Sequence, residues 1–172
     1  MKRAAILIAL LLVPAAAEAQ QTIILVRHAE RQTGEGDDGL SEAGRQRAER
    51  LAQMLRDAGV THVFVSDRRR TLETAQPLAR AQNLSPSRIA IPERGRGAID
   101  ASELQVRATL LAISRLPRNA IVLVVGHSNT VPMFLSRLGH PRGITIADGE
   151  FDNLFVVTQR ATRAPAVVRI RF

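Results

Sequence analysis

Three short stretches of this chain hold the side chains best suited to chemistry: Arg27-His28, Ser66-Asp67-Arg68-Arg69-Arg70 and Gly126-His127-Ser128-Asn129. A neutral imidazole can attack phosphorus and form a phosphohistidine that water later hydrolyses. Its ordinary pKa, about 6.5, leaves much of it neutral near pH 7. Arginine brings a planar, permanently charged fork that matches phosphate oxygens in pairs. Phosphoryl transfer asks mainly for positioning and for cancellation of charge on the equatorial oxygens. Two imidazoles with two or more guanidiniums therefore make a pocket that needs neither metal nor organic cofactor. A second, protonated imidazole would add one more hydrogen-bond donor.

Such residues act together only if the fold gathers them. Thr22 to Val26 is a short apolar run rich in β-branched residues, as expected of a strand buried on both faces. Ser41 reads as a helix N-cap, followed by apolar positions from Ala48 to Ala58 at helical spacing and a stop at Gly59. Further strands are predicted at 62–65, 88–91, 120–125, 151–158 and 166–170. Helices are predicted at 71–81 (bent or restarted at Pro77), 102–116 and 130–138. This alternation implies an α/β fold: a three-layer α/β/α sandwich with a mostly parallel central sheet, in one domain. Ligands of open α/β sheets bind beyond the carboxyl ends of the strands, and all three stretches directly follow a predicted strand. Ser128 and Asn129 open the last of these helices, whose N-terminal amides suit a phosphate. His62, at the start of a strand, and His140, in a turn beside Pro141, read as structural.

The 172 residues carry a net charge of +8 and no cysteine, which excludes disulfides and thiolate metal sites. With no tryptophan, no tyrosine and five phenylalanines, the chain lacks the aromatic platform of a single-strand nucleic-acid binder. The basic balance suits small anions better. Lys2 and Arg3 precede the apolar run Ala4 to Val13, and small residues end in Ala17-Glu18-Ala19. This is the pattern of a secretory signal peptide over residues 1–19, too short for a membrane anchor, and it predicts export of a domain spanning 20–172 to the periplasm or beyond.

Leu25-Val26-Arg27-His28-Ala29-Glu30 resembles the signature of the histidine phosphatase (phosphoglycerate mutase-like) superfamily. The stretch from Ser66 to Ala75 resembles its second motif, and Val125 to Thr130 its third. The resemblance implies His28 as nucleophile, with Arg27 and Arg70 holding the phosphoryl group and His127 completing the pocket. It is the register of the second motif that selects Arg70 over Arg68 and Arg69. Larger members carry a glutamate proton donor in an insertion between the second and third motifs, where this chain is short. Glu93, just after a strand, is the first candidate for that role; Asp100, Glu103, Glu150 and Asp152 are others. The short segment suits the phosphohistidine-phosphatase-like branch and a small phosphorylated substrate rather than a mutase. Two other readings are a catalytically silent binder of phosphorylated glycans at the cell envelope and a serine hydrolase using Ser128. The second lacks the closing glycine of a nucleophile elbow, because Thr130 stands there.

Overall fold

The computed structural model describes residues 20–33, 38–93, 99–159 and 164–172; the predicted signal peptide lies outside these. Six strands form one sheet in the order β3-β2-β4-β1-β5-β6. They are β1 (Thr22–Arg27), β2 (His62–Ser66), β3 (Ser87–Ile89), β4 (Ile121–Gly126), β5 (Asn153–Thr158) and β6 (Ala166–Arg171). β3, β2, β4 and β1 are parallel neighbours, β5 pairs antiparallel with β1, and β6 pairs antiparallel with β5. The carboxyl ends of the central strands therefore open on one edge. Register sharpens this, since Arg27 lies opposite Gly126 and Val65 opposite Val125.

The helices are α1 (Glu42–Met54), α2 (Arg69–Ala81), α3 (Ala101–Ser114) and α4 (Thr130–Arg137). Alternate residues of each central strand face opposite layers, as a pleated strand requires. Ile24, Val26, Val63, Val65, Leu123 and Val125 pack on Leu51 of α1 and Ala75 and Leu78 of α2. Ile23, Leu25, Phe64, Val122 and Val124 pack on Val106 and Ile113 of α3 and on Val131, Phe134 and Leu135 of α4. The result is the expected three-layer sandwich. Among the described residues no helix is long and apolar enough to cross a membrane.

Most boundaries shift by a residue or two from the sequence reading, and three differences have a clear physical cause. α1 begins after the Ser41 cap, whose side chain accepts from the Gly44 N–H, but it ends at Met54. Leu55 and Ala58 still pack inward, and Gly59, at φ +67°, turns the chain into β2. α2 runs through Pro77 as one helix. Its buried face of Thr71, Thr74, Ala75, Leu78 and Ala79 holds it on the sheet, outweighing the backbone hydrogen bond a proline cannot make. β5 starts at Asn153 because Phe151 and Asp152 are otherwise engaged: one stacks on Arg27, the other pairs with Arg171.

Candidate active site

His28 and His127 meet at the carboxyl edge, their ring centroids 5.3 Å apart in an edge-to-face arrangement. Both are buried, at 5% and 7% exposure. Nδ1 of His28 lies 2.8 Å from the Ala29 carbonyl oxygen, which can only accept, so Nδ1 carries the proton and Nε2 the lone pair. Burial pushes the His28 pKa down to about 4, with Arg70 and Arg27 adding to the effect and the Ala29 hydrogen bond opposing it. Burial pushes His127 down to about 3, helped by His28, Arg70, Arg68 and Arg27. Both rings are thus neutral near pH 7. This suits a nucleophile at His28, whereas the protonated second imidazole that the sequence reading allows is not the form burial favours at His127 near pH 7.

Arg27 is also buried, at 7% exposure, and is held from several sides. Its Nη1 donates to the carbonyls of Ala147 and Asp148, each at 2.8 Å, and of Glu150 at 3.0 Å. The Phe151 ring lies 4.0 Å from the guanidinium carbon and 6.1 Å from the His28 ring. Buried Nε has no hydrogen-bond partner among the described residues. Such a donor is costly unless a ligand meets it.

The three consecutive arginines have separate environments. Arg68 is exposed at the N-cap position of α2, and Arg69 is exposed and pairs with Glu73 at 2.6 Å. Arg70 is half-buried, and its charge acts on Arg27, His28 and His127. Of the three, Arg70 is the least exposed.

Hydroxyl groups lock the frame. Thr74 Oγ1 accepts from the Ala29 N–H at 2.9 Å and donates to the Arg70 carbonyl at 2.7 Å, tying the end of β1 to α2. Thr130 Oγ1 accepts from the His127 N–H at 2.8 Å. It also lies where a Cβ on Gly126 would come within 2.7 Å, so that position needs glycine. Ser66 Oγ lies 3.0 Å from His127 Nε2. The sequence reading, which weighs groups by reactivity, takes Ser66, Thr74 and Thr130 only as parts of motifs and does not point to Phe151 or to the carbonyls of Ala147, Asp148 and Glu150. Ser128 is half-buried, while Asn129 is exposed and donates to Ser102 Oγ at 3.0 Å.

The acid candidates fare differently. Glu93 is exposed on the bend after β3 and is absent from the main charges that shift His28 and His127. Asp100 caps α3, accepting from the Ser102 N–H at 2.7 Å. Glu103 pairs with Arg107 and Arg137, Glu150 with Arg171 and Arg169, and Asp152 with Arg171. Asp148, not among the candidates, is exposed and exerts the strongest carboxylate pull on Arg27.

Residues 23–91 match the model of the histidine phosphatase superfamily (branch 1), from β1 past β3. Over this stretch, which holds the first two of its three motifs, the chain is similar to the histidine phosphatase superfamily. Among curated relatives, the chain is 42% identical over 66 residues to the probable phosphoglycerate mutase GpmB of Erwinia tasmaniensis. That alignment covers 34% of the chain and 31% of GpmB, so the chain spans about a third of the length of the curated relatives it matches. Among solved structures, SixA from Agrobacterium tumefaciens, described as a phosphohistidine phosphatase, is 25% identical, with TM-score 0.55 over 80% of this chain and 91% of that one. An Escherichia coli protein described as an alpha-ribazole-5'-P phosphatase shares the fold at TM-score 0.69 and 14% identity, over 88% and 96% of the two chains. The fold is also shared with mycobacterial glucosyl-3-phosphoglycerate phosphatase, at TM-score 0.64 and 14% identity over 88% and 97%.

Proposed function

We propose that this chain is a histidine phosphatase that hydrolyses a phosphomonoester or phosphoramidate through a covalent intermediate on His28, without metal. His28 Nε2 forms the N–P bond as the bond from phosphorus to the leaving group breaks, and the leaving group takes up a proton. Water then attacks phosphorus, the N–P bond breaks, and inorganic phosphate departs. Arg27 and Arg70 supply the charge that the equatorial oxygens require, and His127 supplies a further contact. Ser128 and Asn129, at the start of α4, are the remaining phosphate-binding candidates. The observation that carries the reading is the pair of buried, neutral imidazoles beside a buried arginine whose Nε awaits an acceptor.

Hydrolysis is favoured over a mutase reaction by the short chain between the second and third motifs, and the relatives' names include both activities. Proton donation to the leaving group stays with Glu93 only as a proposal. Residues 1–19 support export to the periplasm or beyond, with cleavage after Ala19. The substrate is a small phosphorylated molecule rather than a nucleic acid, and no stable membrane anchor is proposed. The test is hydrolysis of p-nitrophenyl phosphate in EDTA by the 20–172 domain, followed by acid-quench detection of acid-labile phosphoenzyme. Turnover that survives EDTA and vanishes in His28→Ala is expected. Absence of turnover on every phosphoester and phosphoramidate tried would instead favour a non-catalytic anion binder.

A further inference from the structure

Ser66 ends β2 at 1% exposure, yet its hydroxyl meets three polar groups. The Arg68 N–H donates to Oγ at 3.2 Å, and Thr71 Oγ1 and His127 Nε2 each lie 3.0 Å away. Thr71 has one hydroxyl proton and two carbonyls within reach, Arg68 O at 2.7 Å and Ser66 O at 3.3 Å. The shorter contact takes that proton, leaving Thr71 Oγ1 as an acceptor. The proton of Ser66 can therefore turn either to Thr71 Oγ1 or to His127 Nε2.

The two orientations suit two states of the ring. When Ser66 donates to Nε2, a neutral His127 carries its proton on Nδ1. When Ser66 turns to Thr71, its oxygen accepts from an Nε2–H, as an imidazolium requires; the neutral Nε2–H tautomer would use the same orientation but would turn a lone pair on Nδ1 toward the ligand. Because Nε2 faces Ser66, Nδ1 is the nitrogen left to meet a ligand. Phosphoryl oxygens of a dianion only accept, so a lone pair on Nδ1 would oppose them and a proton there would hold them. The groups acting on His127 are His28 at the end of β1, Arg27 beside it, and Arg68 and Arg70 at the start of α2. None of these is a carboxylate able to fix the ring's proton, so among the described residues the partner of Nε2 is the Ser66 hydroxyl.

We propose that Ser66, backed by Thr71, is a positioning residue that keeps a proton on Nδ1 of His127 whenever a phosphoryl group is bound. It donates to Nε2 when the ring is neutral and accepts from it when the ring is charged. The inference rests on the phosphoryl-transfer reading for its purpose, but its measurement does not require turnover.

The test is nitrogen NMR of the His127 ring in the full domain, with inorganic phosphate as the probe. Wild-type protein with phosphate is expected to show a proton on Nδ1, and Ser66→Ala is expected to lose that preference. Turnover of p-nitrophenyl phosphate by Ser66→Ala should fall on the order of tenfold in kcat, about the worth of one hydrogen bond, with KM nearly unchanged. Ser66→Thr, which keeps the hydroxyl, should restore both. If Ser66→Ala does not fold, Ser66→Cys fills the space with a poor donor and takes its place. Ring signals that are identical with and without the hydroxyl, or that ignore phosphate in the wild type, overturn the inference whatever the activity. A wild type whose ring responds as expected but which turns over no phosphoester fails the proposed function alone.

Discussion

The site has two walls built in different ways. One is the row of parallel strand ends, where Arg27, Ser66 and Gly126 stand level across β1, β2 and β4 and the chain continues into His28 and His127. The other is the approach to β5, residues 147–151, which gives Arg27 three backbone carbonyls and an aromatic face. The first wall carries the reactive groups, fixed by sheet register and by buried hydroxyls. The second carries none of the proposed reacting atoms and serves to aim one guanidinium. A parallel sheet collects chemistry at its carboxyl edge, whereas one reversed strand lets a loop reach the same edge from the opposite direction.

Substitutions should separate the walls, beginning with the strand ends. His28→Ala removes the proposed nucleophile, and kcat/KM for p-nitrophenyl phosphate should fall by about 10³-fold or more while the melting temperature holds. Retention of even a tenth of the activity would remove the strand-end wall from the chemistry. Arg70→Ala should cost on the order of 10²-fold, against under threefold for the exposed neighbour Arg69→Ala. Equal losses would show that burial does not decide between them.

A pH titration tests the same wall through stability. Both histidines have folded pKa values below the unfolded value of about 6.5. The unfolded chain therefore binds more protons than the folded one across the window from about pH 6.5 down to about 4, and stability must fall as pH falls through it. Desolvation and relaxation blunt the effect, so a loss of roughly 2 kcal/mol for the pair by pH 5 is expected. Denaturant melts of wild type and of a His28→Gln/His127→Gln double variant check this, and a wild-type curve as flat as the variant's would refute the buried neutral pair. The smallest effect belongs to the loop wall. Phe151→Ala should lower kcat/KM about tenfold, mostly through KM, by loosening Arg27. A loss as deep as that of His28→Ala would erase the contrast between the walls.

The first wall was legible because its signals are local: apolar β-branched runs end in Arg27-His28, Ser66 and Gly126-His127, and the edge rule does the rest. The second was not. Backbone carbonyls of Ala147, Asp148 and Glu150 have no residue-type signature, and Phe151 read as part of a strand. Its role depends on β5 running against β1, which no short-range pattern encodes. Glu93 marks where the edge rule stops discriminating: it stands just after a strand on that edge, yet it is exposed and absent from the main charges that shift the histidines.

Glu150 has a consequence that reaches past the pocket. Its carbonyl holds Arg27, while its carboxylate accepts from the Ala147 N–H at 2.9 Å and pairs with Arg171 on the outermost strand at 2.9 Å. The sheet's margin and the buried Arg27 guanidinium thus share one residue as a joint. Changes at that distant border, even ones nowhere near a ligand, should register as altered grip on phosphate.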